Sequence, residues 1–101
     1  MKTGLILKLT TKAGMRDAAV EALSAMIPVA EGEQGTELYI LHADAGDENV
    51  LWMYELYTDG DALAVHGGSD AMAEVMGKMG EFAEATEMSF LSPIAAAGHP
   101  L

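Results

Sequence analysis

The stretch EQGTELYILHADAGDENVLWMYELYTDGDALAVH, Glu33 to His66, decides the fold, because two strands, the turn between them and the start of a helix are legible in it from residue type alone. From Thr36 to Ala43, Leu38, Ile40 and His42 alternate with Tyr39 and Leu41. From Val50 to Tyr57, Val50, Trp52, Tyr54 and Leu56 alternate with Leu51, Met53, Glu55 and Tyr57. A period of two marks a strand, whose successive side chains point to opposite faces. The connector AGDEN is rich in turn-forming residues, so the two strands make a hairpin. The only Trp, all three Tyr and two of the three His fall in this stretch; any pocket draws its chemistry from here.

Outward from the hairpin the periods alternate in order. Thr3 to Thr10 is a strand with Leu5, Leu7 and Leu9 opposite Ile6, Lys8 and Thr10. TTKAGMRDAAVEALSAMIP then takes the helical period, with Met15, Ala19, Ala22, Leu23, Met26 and Ile27 in one stripe. Thr11 is placed to cap that helix, and Pro28 to end it, since proline disfavours helix in the residue before it. After the hairpin a short helical turn runs from about Asp61 to His66 and is broken by Gly67 and Gly68. Ser69 then offers an N-cap and Asp70 suits the helix dipole. Met72, Val75, Met76, Met79, Phe82 and Ala83 form the next apolar stripe, and alternation returns from Thr86 to Ser92.

The order β, α, β, β, α, β is the ferredoxin-like split βαβ plan, an α+β fold with a four-stranded antiparallel sheet and its helices on one face. Two right-handed crossovers give the strand order 4-1-3-2. The expected layout is one domain over residues 1–101, with a core at about 3–92 and a tail over 93–101. Both faces of the second hairpin strand are apolar, so the face without helices needs a cover. A homodimer with sheets packed face to face supplies it, leaving a pocket between each sheet and its own helices.

Composition excludes several classes. Sixteen acids against five bases give a formal charge of −11, which repels phosphate backbones and anionic lipid. Four of the five cations lie in the first sixteen residues with no aromatic interleaved, so nucleic-acid binding is set aside. The acid excess reads as a solubilising surface, the alternative being an acidic docking surface. No apolar run approaches the roughly 20 residues that cross a bilayer, so a membrane role is set aside too. LILKLT suits a first strand better than a signal-peptide core. With no Cys there is no disulfide framework or thiol nucleophile, and the expectation is a cytoplasmic protein.

The segments GTELYILH, DEN and LWMYELYTDGDALAVH, with the helix from Ser69, resemble the antibiotic biosynthesis monooxygenase (ABM) family of the dimeric α+β barrel superfamily. The carriers are the elements GT-x-x-Y, YE-x-Y and A-x-x-x-H in that order, and the likeness runs over roughly residues 3–92, best over 35–70. It implies a homodimer of ferredoxin-like subunits, and cofactor-independent oxidation of a quinol-like or polyphenolic aromatic. By the same resemblance His66 stands on the family's recurrent histidine, and Trp52 on a strand that lends aromatic pocket walls. Relatives that degrade haem use a helix histidine as iron ligand; the second long helix here has no His, which argues against haem.

Oxygenation without metal or flavin needs a substrate that becomes a reductant when deprotonated, so the protein must supply a base, a dry pocket and donors for the anion. His66 is the candidate base, as histidine titrates near neutrality. Trp52, Tyr54 and Tyr57 are candidates to stack on or hydrogen-bond an aromatic substrate, and Asn49 to orient a carbonyl. Each has a structural counterpart: His66 fixing the turn before Gly67, Trp52 and Tyr54 as core or dimer packing, Asn49 as hairpin chemistry. Glu55, a carboxylate on an apolar strand, is expensive unless paired; it reads as bonded to a partner chain or as a second acid–base group. His42 reads as solvated, and His99 as disordered or making a crossing contact. No His spacing supports a metal site, and no cofactor is implied. Two other readings stand beside the monooxygenase: a non-catalytic small-ligand-binding or stress-response dimer, and an isomerase on the same scaffold.

Overall fold

In the computed structural model, which describes residues 1–101, the chain runs through β1 (Thr3–Thr11), α1 (Arg16–Ser24), α2 (Met26–Glu31), β2 (Thr36–Ala43), β3 (Val50–Tyr57), α3 (Gly60–Gly67), α4 (Asp70–Phe82) and β4 (Ala83–Leu91). The sheet is antiparallel throughout, in the order β2-β3-β1-β4. This is the expected 4-1-3-2 read from the other edge, and the architecture is the α+β ferredoxin-like one. No helix is long and apolar enough to cross a membrane.

Register decides which face of β3 the helices cover. Leu5, Leu7 and Leu9 lie opposite Glu55, Met53 and Leu51, while Tyr39 and Leu41 lie opposite Glu55 and Met53. Directly paired residues point to the same side of a sheet. On that side Leu9, Leu51 and Met53 pack with Ala19 and Leu23 of α1, Met26 of α2, and Val75 and Phe82 of α4. The other face carries Ile6, Lys8, Ile40, His42, Trp52 and Tyr54, with Ile40 and His42 exposed and Trp52 and Tyr54 half-buried.

The first crossover departs from expectation twice. Thr11 does not cap a helix: it ends β1, buried, with its hydroxyl donating to the Asn49 carbonyl at 3.2 Å. Here the bonds to Asn49 outcompete the cap, and α1 starts five residues later, at Arg16, without a side-chain cap. Pro28 does not end the helix either. The break falls at Ala25, and Pro28 sits in the first turn of α2, where backbone N–H groups have no intrahelical acceptor and proline loses nothing.

β2 carries a bulge. Thr36 pairs with Tyr57 and Leu38 with Leu56, so Glu37 is an extra residue. Its carboxylate accepts from Lys2, from Thr58 Oγ1 at 2.9 Å and meets His99 Nε2 at 2.8 Å. The Lys2 bond, then the His99 contact, pull the Glu37 carboxyl down to about 2. His99 therefore makes the crossing contact, tying the tail to β2.

Candidate functional site

The local order around His66 is built from caps and glycines. Asp59 Oδ1 accepts from the Ala62 N–H at 2.9 Å and starts α3. At the other end Ser69 Oγ donates to the His66 carbonyl at 2.8 Å and accepts from the Met72 N–H at 3.1 Å, so one side chain closes α3 and opens α4. The expected Ser69 cap is thus present. α3 lies close on the start of β2: a Cβ on Gly35 would stand 2.4 Å from the Ala62 Cβ. Only glycine permits that approach, and through it the last turn of α3 reaches the loop before β2.

There His66, 2% exposed, meets Glu33. Its Nδ1 lies 2.6 Å from Glu33 Oε1, which also accepts from Thr36 Oγ1 at 3.0 Å. The bulge at Glu37 places Thr36 beside Tyr57, on the helix side, where it can make this bond. On the imidazole's other side Nε2 is buried without a hydrogen-bond partner, its nearest charge being Glu55 Oε1 at 3.9 Å. Glu55 itself, 5% exposed, accepts from the Tyr57 hydroxyl at 2.5 Å. The rings of Tyr39 and Tyr57 flank the imidazole with centroids at 5.0 and 5.4 Å.

Burial dominates the electrostatics. It pushes the Glu55 carboxyl above the ordinary glutamate range, against the lowering effect of the Tyr57 bond and His66. It likewise raises both phenols, with Glu55 and Glu33 adding to the rise for Tyr39, and the Glu55 bond and charge adding most to it for Tyr57. The tyrosines are held as neutral O–H groups, and Glu55 is disposed to take up a proton. The cluster can hold and exchange protons in a water-poor setting.

Of the five site residues expected from sequence, the structure brings only His66 and Tyr57 together. Trp52 and Tyr54 lie across the sheet, lining with Ile6, His42 and Ala43 a shallow open hollow of about 490 Å³. There Trp52 Nε1 donates to Asp44 Oδ1 at 2.8 Å, and Lys8 Nζ stands 5.6 Å over its ring. Asn49 belongs to the hairpin connector, its N–H donating to Asp47 Oδ1 at 2.9 Å and its carbonyl accepting from the Thr11 N–H at 2.7 Å. A single pocket uniting all five is therefore not what the fold makes, because a period of two sends Trp52 and Tyr57 to opposite faces. None of the four principal cavities has His66 in its wall; a groove of about 480 Å³ runs between α1, α2 and α4.

One further correction concerns a partner chain. Glu55 finds its hydrogen bond within its own chain, two residues along the strand, where the sequence suggested a partner chain. The three histidines stay apart: His42 exposed, His99 on Glu37, His66 buried. Sequence reasoning missed Glu33, Thr36 and Tyr39. Tyr39 shares a face with Glu55 by register, a signal present once the hairpin is aligned; nothing local marks Glu33.

The profile of the antibiotic biosynthesis monooxygenase family matches residues 4–78. Among solved structures, Rv0793 from Mycobacterium tuberculosis is 26% identical with a TM-score of 0.90, covering 97% of this chain and 100% of that one. PA3566 from Pseudomonas aeruginosa is 23% identical with a TM-score of 0.87, covering 93% and 95%. A protein from Chloroflexus aurantiacus, provisionally assigned to the same family, is 19% identical with a TM-score of 0.83, covering 97% and 98%. The latter two likenesses are ones of fold alone. No curated protein sequence matches significantly.

Proposed function

The chain belongs to the antibiotic biosynthesis monooxygenase family, and on that premise we propose that it is a cofactor-independent monooxygenase of a small quinol-like or polyphenolic aromatic, with His66 as base. The observation that carries this reading is the buried Nε2 of His66, left without a partner while Nδ1 is held by Glu33 at 2.6 Å. Such a nitrogen is free to take a phenolic proton. The phenolate then reduces dioxygen by one electron, the radicals combine to a hydroperoxide, and loss of water leaves a quinone. One oxygen atom enters the product, the other leaves as water, and the substrate supplies the electrons. Tyr39, held as a neutral donor, suits a developing anion better than an ionised group would, while the one O–H of Tyr57 is spent on Glu55.

In the same proposal two copies work as a cytoplasmic homodimer, covering Ile6, Ile40, Trp52 and Tyr54 on the face away from the helices. Substrate entry requires α3 to move, since Nε2 is sealed. A two-turn helix with Gly60 at one end and Gly67 and Gly68 at the other is drawn from the low-stability end of a fold. The test is oxygen uptake with a panel of hydroquinones and naphthols. His66→Ala is expected to lower it by about 10²–10⁴-fold with light scattering unchanged and the chain folded at the assay temperature, while the melting temperature falls with the loss of the buried Glu33 bond. Uptake that survives the substitution removes His66 from the reaction.

The sealing of His66 also favours a second reading, a binding dimer without turnover. Saturable ligand protection with no product selects it, and turnover without oxygen selects an isomerase.

A further inference from the structure

We propose that Glu33 is the positioning residue of this site: it fixes His66 in the Nδ1–H tautomer, so that Nε2 presents a lone pair, and Thr36 holds Glu33 in place to do so. The catalytic meaning rests on the reading of His66 as base; the tautomer does not.

The two ring nitrogens face different surroundings. Nδ1 is 2.6 Å from Glu33 Oε1, and a carboxylate oxygen only accepts, so in the neutral ring the proton between them sits on nitrogen. The opposite tautomer is penalised twice. It would turn the Nδ1 lone pair against a carboxylate, and leave an Nε2–H buried with no acceptor, because Glu55 Oε1 at 3.9 Å is beyond hydrogen-bond reach. Thr36 Oγ1, at 3.0 Å from the same Glu33 oxygen, sets the carboxylate's direction. A histidine's roles are set by the bond its other nitrogen makes. Here that bond runs across 33 residues of sequence.

The ligand class follows. A lone pair flanked by two carboxyls admits an uncharged hydroxyl or an acidic C–H, and disfavours a carboxylate or phosphate at Nε2. After proton transfer the imidazolium stands between Glu33 and Glu55, while Tyr57 keeps one Glu55 oxygen occupied.

Two-bond proton–nitrogen correlation spectra of the ¹⁵N-labelled full chain, at a pH where all three histidines are neutral, test this directly. The expected spectrum shows His66 protonated on Nδ1 and exposed His42 mainly on Nε2, the usual preference of a solvated histidine side chain. Glu33→Ala is expected to move His66 to mostly Nε2–H. An Nε2–H His66 in wild type overturns the assignment, as does an unchanged Nδ1–H in Glu33→Ala. The wild-type spectrum alone decides if the variant fails to fold. In the uptake assay Glu33→Ala should lower kcat at least tenfold with KM within about twofold. An Nδ1–H His66 in a protein with no turnover leaves Glu33 as assigned and sinks the base; His66-dependent turnover with an Nε2–H ring does the reverse.

Discussion

The approach of α3 to β2 makes a quantitative prediction about Gly35→Ala. The added Cβ would lie 2.4 Å from the Ala62 Cβ, against the roughly 3.5–4.0 Å at which carbons rest. Something must therefore move by more than an ångström, and neither side gives easily. The Gly35 carbonyl accepts from the Thr58 N–H at 2.9 Å, and Ala62 is pinned by its bond to Asp59. Overpacking of this kind costs about 1–3 kcal/mol, while the stiffer unfolded chain returns about 0.4–1. A net loss of about 1–2 kcal/mol lowers the melting temperature by about 4–8 °C per kcal/mol, at fixed protein concentration. Adding Ala62→Gly removes the obstructing atom, and the nearest remaining one, the Ala62 Cα, stands at an ordinary 3.5 Å. The helix then loses at most about 1 kcal/mol, close to what position 35 gains, so the double variant should melt near wild type. Calorimetry of the four proteins of this cycle is the assay. A Gly35→Ala protein as stable as wild type refutes the close approach. A double variant no better than the single one refutes the contact as its cause.

Glu55→Gln should change the pH dependence of stability. A carboxyl whose folded pKa is raised stabilises the fold below its ordinary value of about 4.5 and loses that contribution as pH rises through the raised value. Urea titrations should therefore show wild type losing ground to Glu55→Gln as pH climbs above 4.5; parallel profiles would contradict the burial. Ser69→Ala removes the N-cap of α4 and the bond to the His66 carbonyl together. A loss of about 1–2 kcal/mol is expected, and a melting point within 1 °C of wild type, on the order of a tenth to a quarter of 1 kcal/mol, would mean that neither bond matters.

What the sequence disclosed and what it withheld follow one physical line. β2 and β3 were legible to the residue because their signal is local: each alternates, and AGDEN lies between. Ser69 was legible for the same reason, a cap three residues before the N–H it accepts. At Thr11 and Pro28 local preference loses to a distant contact or to a tolerant position: Thr11 to the Asn49 carbonyl at the end of the hairpin connector, Pro28 to a first helical turn that needs no N–H. The candidate site is mostly of the second kind. Glu33 meets His66 only after the sheet, the bulge at Glu37 and the glycine contact at Gly35 are in place, so nothing local links the pair, which stand 33 residues apart.

β3 explains why the aromatic cluster did not become one pocket. A strand with apolar residues on both sides gives no preference for either from hydropathy, and the partition fell to register with β1 and β2. Leu51, Met53, Glu55 and Tyr57 went under the helices, and Trp52 and Tyr54 went outward. The His66 cluster and the outward aromatics Trp52 and Tyr54 are thereby separated by the thickness of one sheet. In this geometry Glu55 is tolerated amid apolar neighbours because Tyr57, next on the same face, donates to it at 2.5 Å. A buried carboxylate without that donor would cost several kcal/mol. The YE-x-Y element therefore does two things on two faces: its first tyrosine, Tyr54, belongs to the outer surface, while its glutamate and second tyrosine build the floor beneath His66.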